Sequence, residues 1–196
     1  MIIQEEIKKL IDDESQYGIY QGIDFYIQRL RQHLLSLHKT EAKRQTLSGL
    51  NWLARKHLTS SLAFDLRLKK GDICFIDFGK AYINEAGYQH FGLILSLVNY
   101  KALVVPMSSN STTISKASNV LCEGHVKNHL YYIGKLEGMN RPSVLFLNDA
   151  KYINTARVIE VIAHMDIHSS MFKEIEGRIL SHIKRYPYYN SYKAKG

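Results

Sequence analysis

Histidine, cysteine and carboxylate side chains at short spacing are the first groups in this chain that could do chemistry. Cys122, His125 and His129 fall as Cys-x2-His-x3-His, and His164, Asp166 and His168 lie two apart, donor types that hold zinc when four of them close on one ion. The surroundings argue against it: there is no second paired-cysteine half, and the first cluster sits in a polar stretch that reads as a loop between strands. No metal and no other cofactor is therefore expected. Gly134 to Gly138 lacks the strand-to-helix setting of a phosphate loop, and no Gly-x-Ser-x-Gly elbow occurs, so nucleotide hydrolysis and esterase chemistry lack their residues. A different pattern appears in Lys184 to Lys193, where Lys184, Arg185 and Lys193 alternate with Tyr186, Tyr188, Tyr189 and Tyr192. Such a segment can stack unpaired bases while neutralising phosphate, and it equally suits a frayed tail.

The whole chain points toward a polyanion. Its 26 Lys and Arg outnumber 18 Asp and Glu for a formal charge of +8, and the excess lies on both sides of Lys70 rather than in one basic tail. With 196 residues, 45% of them apolar, it has the length of one ordinary domain plus a sizeable extension and enough apolar material to fold without staples. Two cysteines, Cys74 and Cys122, cannot build a disulfide framework, and no charged-apolar-small leader opens the sequence, so a soluble protein of the reducing cytoplasm is expected. The longest nearly uncharged apolar run, Phe91 to Val98, is broken by Asn99 and Lys101 far short of the roughly 18 residues a membrane span needs.

Positioning such groups requires elements, and two textures alternate along the chain. From Ile2 to about Leu58 apolar residues recur three or four apart, which predicts three amphipathic helices, with breaks at Gly18 and Gly22 and along the polar stretch Lys39 to Gln45. After Lys69, Lys70 and Gly71 the runs become β-branched and aromatic and of strand length: Ile73 to Phe78, Phe91 to Leu97, Ala102 to Met107 and Ser143 to Leu147. Asn84 to Gly87, Asn99 to Lys101 and the serine- and threonine-rich Ser108 to Asn119 read as surface connections. A last amphipathic helix runs from about Ser170 to Tyr186, where Pro187 stops it. Short strands with short turns predict an α+β chain. Its core would be a small antiparallel β barrel or sandwich with a C-terminal helix, preceded by an N-terminal helical extension. The boundaries are 1–68 for the extension, 69–186 for the β domain and 187–196 for the tail.

Four segments of the β domain then carry a resemblance. Gly71-Asp72-Ile73-Cys74-Phe75-Ile76-Asp77-Phe78-Gly79 resembles the opening strand of the PemK/MazF family of bacterial toxin endoribonucleases. Glu85 to Ser96 is similar to that family's acidic, glycine-containing turn and the Arg-Pro-apolar strand after it, with His90-Phe91 in place of Arg-Pro. Ala102 to Ser109 resembles an apolar strand ending in Pro and a hydroxyl residue, and Val144 to Val158 a strand-turn segment bearing polar and basic site groups. The resemblance covers about Gly71 to Tyr186. It implies an SH3-like barrel, a homodimer that cleaves single-stranded RNA without metal, and an antitoxin partner.

In such cleavage the 2′-hydroxyl attacks its own neighbouring phosphorus. The protein must take one proton, return one to the 5′-oxygen and stabilise the added negative charge. By the resemblance, His90 is the general acid or base, since an imidazole that titrates near 6.5 is suited to proton transfer at neutral pH. Glu85 is its acidic partner, and Lys151 and Arg157 are the cations for the phosphate, Arg157 with a bidentate grip. Ser108 and Ser109 donate to phosphate oxygens, with Gln89 and Asn148 beside them. Asn148 stands where the family commonly has an acid, next to Asp149, and Lys151 where it has an arginine. The alternative is a non-catalytic nucleic-acid-binding or regulatory module on the same fold, in which these replacements have abolished cleavage.

Overall fold

In the computed structural model, which describes residues 2–12, 15–120 and 126–184, the chain divides into two units, residues 1–47 and 48–196. The first holds α1 (Ile2–Asp12), α2 (Gln16–Ser36) and the start of α3 (Lys39–Arg55). Three helices are as expected, but their limits differ. Helix α2 begins ahead of Gly18 and Gly22, with the Ser15 side-chain oxygen accepting from the Gly18 N–H at 3.1 Å as an N-cap. Gly22 is instead the helical position against which Leu10 seats, since a Cβ there would lie 2.6 Å from the leucine Cδ2. The polar stretch Lys39 to Gln45 is the beginning of α3, because Lys, Glu, Arg and Gln favour helix even without an apolar face. Gln45 donates to Glu41 at 3.2 Å one turn back.

The second unit is built on an antiparallel sheet. Its strands are β1 (Asp72–Asp77), β2 (Gln89–Val98), β3 (Lys101–Ser108), β4 (Leu130–Gly134), β5 (Ser143–Phe146), β6 (Lys151–Asn154) and β7 (Val158–His164), in the order β4-β5-β3-β2-β1-β7, with β6 on the same edge of β3 as β5. Strands β2 and β3 are joined by Asn99 and Tyr100, both at positive φ (47° and 64°), the two-residue turn whose twist matches an antiparallel hairpin. The α+β class, the antiparallel sheet and the C-terminal helix α5 (Ser170–Lys184) are as the sequence predicts. The ladder does not close into a barrel: among the described residues β4 and β7 are its two ends.

Period-two alternation gives the sheet two apolar faces. One carries Ile73, Leu93, Val105, Met107 and Leu145, covered by Phe172, Ile175 and Ile179 at i, i+3 and i+7 of α5. The other carries Cys74, Ile76, Ile94 and Val104, packed with Ile153 and Val158 and flanked by Leu66 and Leu68. Burial pushes the Cys74 thiol up to about 12, with the Asp72 carboxylate adding to the effect, so this sulfur is a core atom rather than a nucleophile. The short helix α4 (Ser111–Ile114) lies within the serine-rich connection and is capped by Asn110. Residues 185–196 lie outside the described residues, and with them most of the tyrosine- and cation-rich segment. Among the described residues no helix is long and apolar enough to cross a membrane.

Candidate functional site

The strand registers decide which candidate groups share a face. Ile76 pairs with His90 and Cys74 with Gly92; Gly92 pairs with Pro106 and Ile94 with Val104; Val104 pairs with Lys151. Cross-strand partners point the same way, so His90, Ser108 and Lys151 lie on one face, the face of Cys74, Ile76 and Ile94. Gln89, one residue earlier, pairs with Asp77 and points to the other side. His90 and Gln89 are half-buried at the start of β2.

Asp77, the last residue of β1, is 6% exposed and gathers four donors. Its Oδ1 accepts from Ser48 Oγ at 2.6 Å and the Gly79 N–H at 3.0 Å, and its Oδ2 from Asn51 Nδ2 and Gln89 Nε2, both at 2.9 Å. Burial alone would raise this carboxyl; the hydrogen bonds from Ser48, Asn51, Gln89 and Gly79 outweigh it and hold the group below the usual carboxylate range. Ser48 and Asn51 sit three apart on α3, on one helical face with Arg55 one turn on. Arg55 Nη1 donates to the carbonyls of Ala156 and Val158 at 3.1 and 2.9 Å.

Arg157 is fixed by the same strand end. Its Nη1 donates to the Asp77 and Phe78 carbonyls at 3.3 and 3.1 Å. The chain turns at Gly79 with φ 84°, and a Cβ there would lie 2.9 Å from that Nη1, so the close approach of the guanidinium needs glycine on both counts. Among the described residues no carboxylate pairs with Arg55, Lys56 or Arg157. Lys151 differs, since its Nζ is 2.9 Å from Asp149 Oδ1, 3.4 Å from the Ala86 carbonyl and 5.7 Å from the Phe78 ring centroid. Asp149 also accepts the Ala86 N–H at 2.6 Å through Oδ2. The two residues thus clamp the turn between β1 and β2, and the pair carries no net charge.

The remaining candidates are placed as follows. Glu85 is exposed in that turn, where its Oε2 accepts the Tyr82 N–H at 3.1 Å. Ser108 accepts the Asn110 N–H at 3.2 Å and so starts the following connection, and Ser109 is exposed. Asn148 is exposed in the short 3-10 turn Leu147–Asp149 and lines an open groove of about 810 Å³ together with His129, Lys151, Tyr152 and His182. Burial lowers the His129 pKa, with Lys127 and His182 adding positive charge nearby. Of the residues with zinc-like spacing, Cys122 and His125 lie outside the described residues. His164 pairs with Asp72 at 2.9 Å, and Asp166 accepts the His168 N–H. Among the described residues no three His, Cys, Asp or Glu side chains gather as a metal site.

Sequence reasoning passed over Ser48, Asn51, Trp52 and Arg55, treating residues 1–68 as an added extension. The readable signal was a polar face at i, i+3 and i+7 interrupting an amphipathic helix, which asks for polar partners elsewhere. A second cleft, of about 150 Å³, is lined by Asn51, Trp52, Arg55, Lys56, Asp77, Asn154 and Arg157, among others, all in the second unit.

No protein-family model and no curated protein sequence matches the chain. Solved structures similar to part of it include MazF (Form-I) from Deinococcus radiodurans, 15% identical, covering 61% of this chain and 99% of that one with a TM-score of 0.45. Two others are MazE-MazF (Form-II) from the same organism, at 16% identity, 62% and 100% coverage and a TM-score of 0.41, and the Mycobacterium tuberculosis toxin MazF-mt6, at 13%, 56% and 96% with a TM-score of 0.38.

Proposed function

We propose that this protein is a metal-independent endoribonuclease of single-stranded RNA, the toxin of a toxin–antitoxin pair, acting as a homodimer in the cytoplasm and restrained by its antitoxin. The ribose 2′-oxygen forms a bond to the adjacent phosphorus as the bond to the 5′-oxygen breaks, giving a 2′,3′-cyclic phosphate and a 5′-hydroxyl. The proton of the 2′-hydroxyl passes to one member of the pair His90 and Glu85, and the proton that the 5′-oxygen receives comes from the other. Arg157, with Lys151, meets the charge that builds on the phosphoryl oxygens, while Gln89, Ser108, Ser109 and Asn148 position the strand.

One observation carries this reading. Arg157 is locked through Nη1 to the end of β1, without a carboxylate partner among the described residues, where β2 opens with Gln89 and His90. An anchored, unneutralised guanidinium has the fork geometry for a phosphate and pays little ordering cost on binding it. A test is cleavage of a mixed single-stranded RNA in excess EDTA. His90→Ala should lower the rate by about 10²- to 10⁴-fold, the range of a general acid or base. Wild-type rates in that variant, or activity that appears only with added metal, overturn the assignment.

The ion pair of Lys151 with Asp149 favours the second reading, a binding module without cleavage, because it removes one of the two cations from the phosphate. RNA shifted at low salt yet intact over hours would support that module instead.

A further inference from the structure

The cleft beside α3 belongs to neither the sheet face of His90 nor the groove at Asn148, and its lining has its own logic. Asn51, Trp52 and Arg55 fall on adjoining positions of the last turns of α3, and Lys56 follows its last residue. Trp52, the one tryptophan of the chain, is 56% exposed, an unusual place for so large an apolar surface. Lys56 Nζ lies 5.1 Å from its ring centroid, and Arg55 and Arg157 also line the cleft. The carboxylate in the lining, Asp77, accepts from four neutral donors and keeps its charge, so three cations, Arg55, Lys56 and Arg157, against this one anion leave the lining positive, and none of the three forms an ion pair among the described residues.

We infer that this cleft is a subsite for one unpaired nucleotide of RNA, its base stacked on Trp52 and its phosphates held by Lys56 and Arg157. A cavity of about 150 Å³ holds one aromatic ring of benzene size, so an open cleft of that volume takes a single base rather than a duplex. Recognition is tolerant of base identity. The Asn154 amide is spent on the Thr59 carbonyl and the Ala156 N–H, and Asn51 Nδ2 on Asp77, which leaves stacking and charge as the main attractions. Because Arg157 borders both this cleft and the site of the proposed reaction, the base lies one nucleotide or so from the cleaved bond. The placement rests on the nuclease reading; the binding does not.

The test uses the full chain and a 2′-O-methyl oligouridine of about eight nucleotides, which the proposed reaction cannot cut. Binding should quench the Trp52 fluorescence. Trp52→Ala should weaken affinity by about 5- to 100-fold while Trp52→Phe keeps most of it, and Lys56→Ala should reduce the slope of log affinity against log salt by about 1. Unquenched fluorescence together with wild-type affinity in Trp52→Ala overturns the subsite, whether or not RNA is cleaved. Quenching and the Trp52→Ala loss without any cleavage of natural RNA support the subsite and overturn the nuclease.

Discussion

Lys151 and Arg157 look alike in sequence, two cations after one strand, and differ in what surrounds them. Lys151 holds Asp149 and the turn carbonyl of Ala86, whereas Arg157 spends one nitrogen on backbone carbonyls and keeps the rest of its fork. Sequence spacing cannot separate these roles, because the neutralising Asp149 acts by geometry that its position next to Asn148 does not reveal. Asp77 was legible only as the end of a strand; its four donors come from residues 48, 51, 79 and 89. Its carboxyl is held below the usual range in the folded state, so its anion stabilises the fold above the ordinary carboxylate pKa of about 4, and this contribution is lost as the pH falls through the lower folded value. Asp77→Asn, which places a donor among donors, should cost about 1.5–3 kcal/mol or more at pH 7. Urea midpoints taken from pH 7 down to pH 3 check this. The gap to wild type should close in the acid range, and a gap independent of pH contradicts the assignment.

At the scale of elements, the apolar runs of β1, β2 and β3 and the i, i+3, i+7 stripe of α5 were readable, because the three strands bury both faces and the helix buries one stripe. Strands β4, β6 and β7 were not singled out. They are 5, 4 and 7 residues long, and β6 is paired over only four residues beside β5 on the edge of β3, so their identity depends on the partner strand more than on their own pattern. The turn between β1 and β2 has few apolar anchors, with Tyr82 and Ile83 exposed, and leans on Asp149 through the Ala86 N–H and Lys151. Asp149→Ala should therefore loosen the turn while the sheet stays folded. Trypsin should cut after the exposed Lys80 at least several-fold faster than in wild type, with an unchanged far-UV spectrum. Equal cutting rates would show that the turn is held by other contacts.

For the molecule as a whole, the charge of +8 predicted a polyanionic partner, and the structure concentrates beside the end of β1 an exposed tryptophan and three cations that form no ion pair among the described residues. That concentration was hidden in sequence because Trp52, Arg55 and Lys56 come from the end of α3 and Arg157 from the turn after β6, about a hundred residues apart along the chain. The barrel expected from the strand pattern proves to be a sheet with two open ends, a matter of which strands meet rather than of any residue's preference. End-group analysis of the products in EDTA tests the proposed chemistry of the cut. Attack by the 2′-oxygen gives 2′,3′-cyclic phosphate and 5′-hydroxyl termini from single-stranded RNA, and no cutting at a bond whose 2′-oxygen is methylated. Cleavage of a fully 2′-O-methylated strand, or products bearing 5′-phosphate, would contradict it.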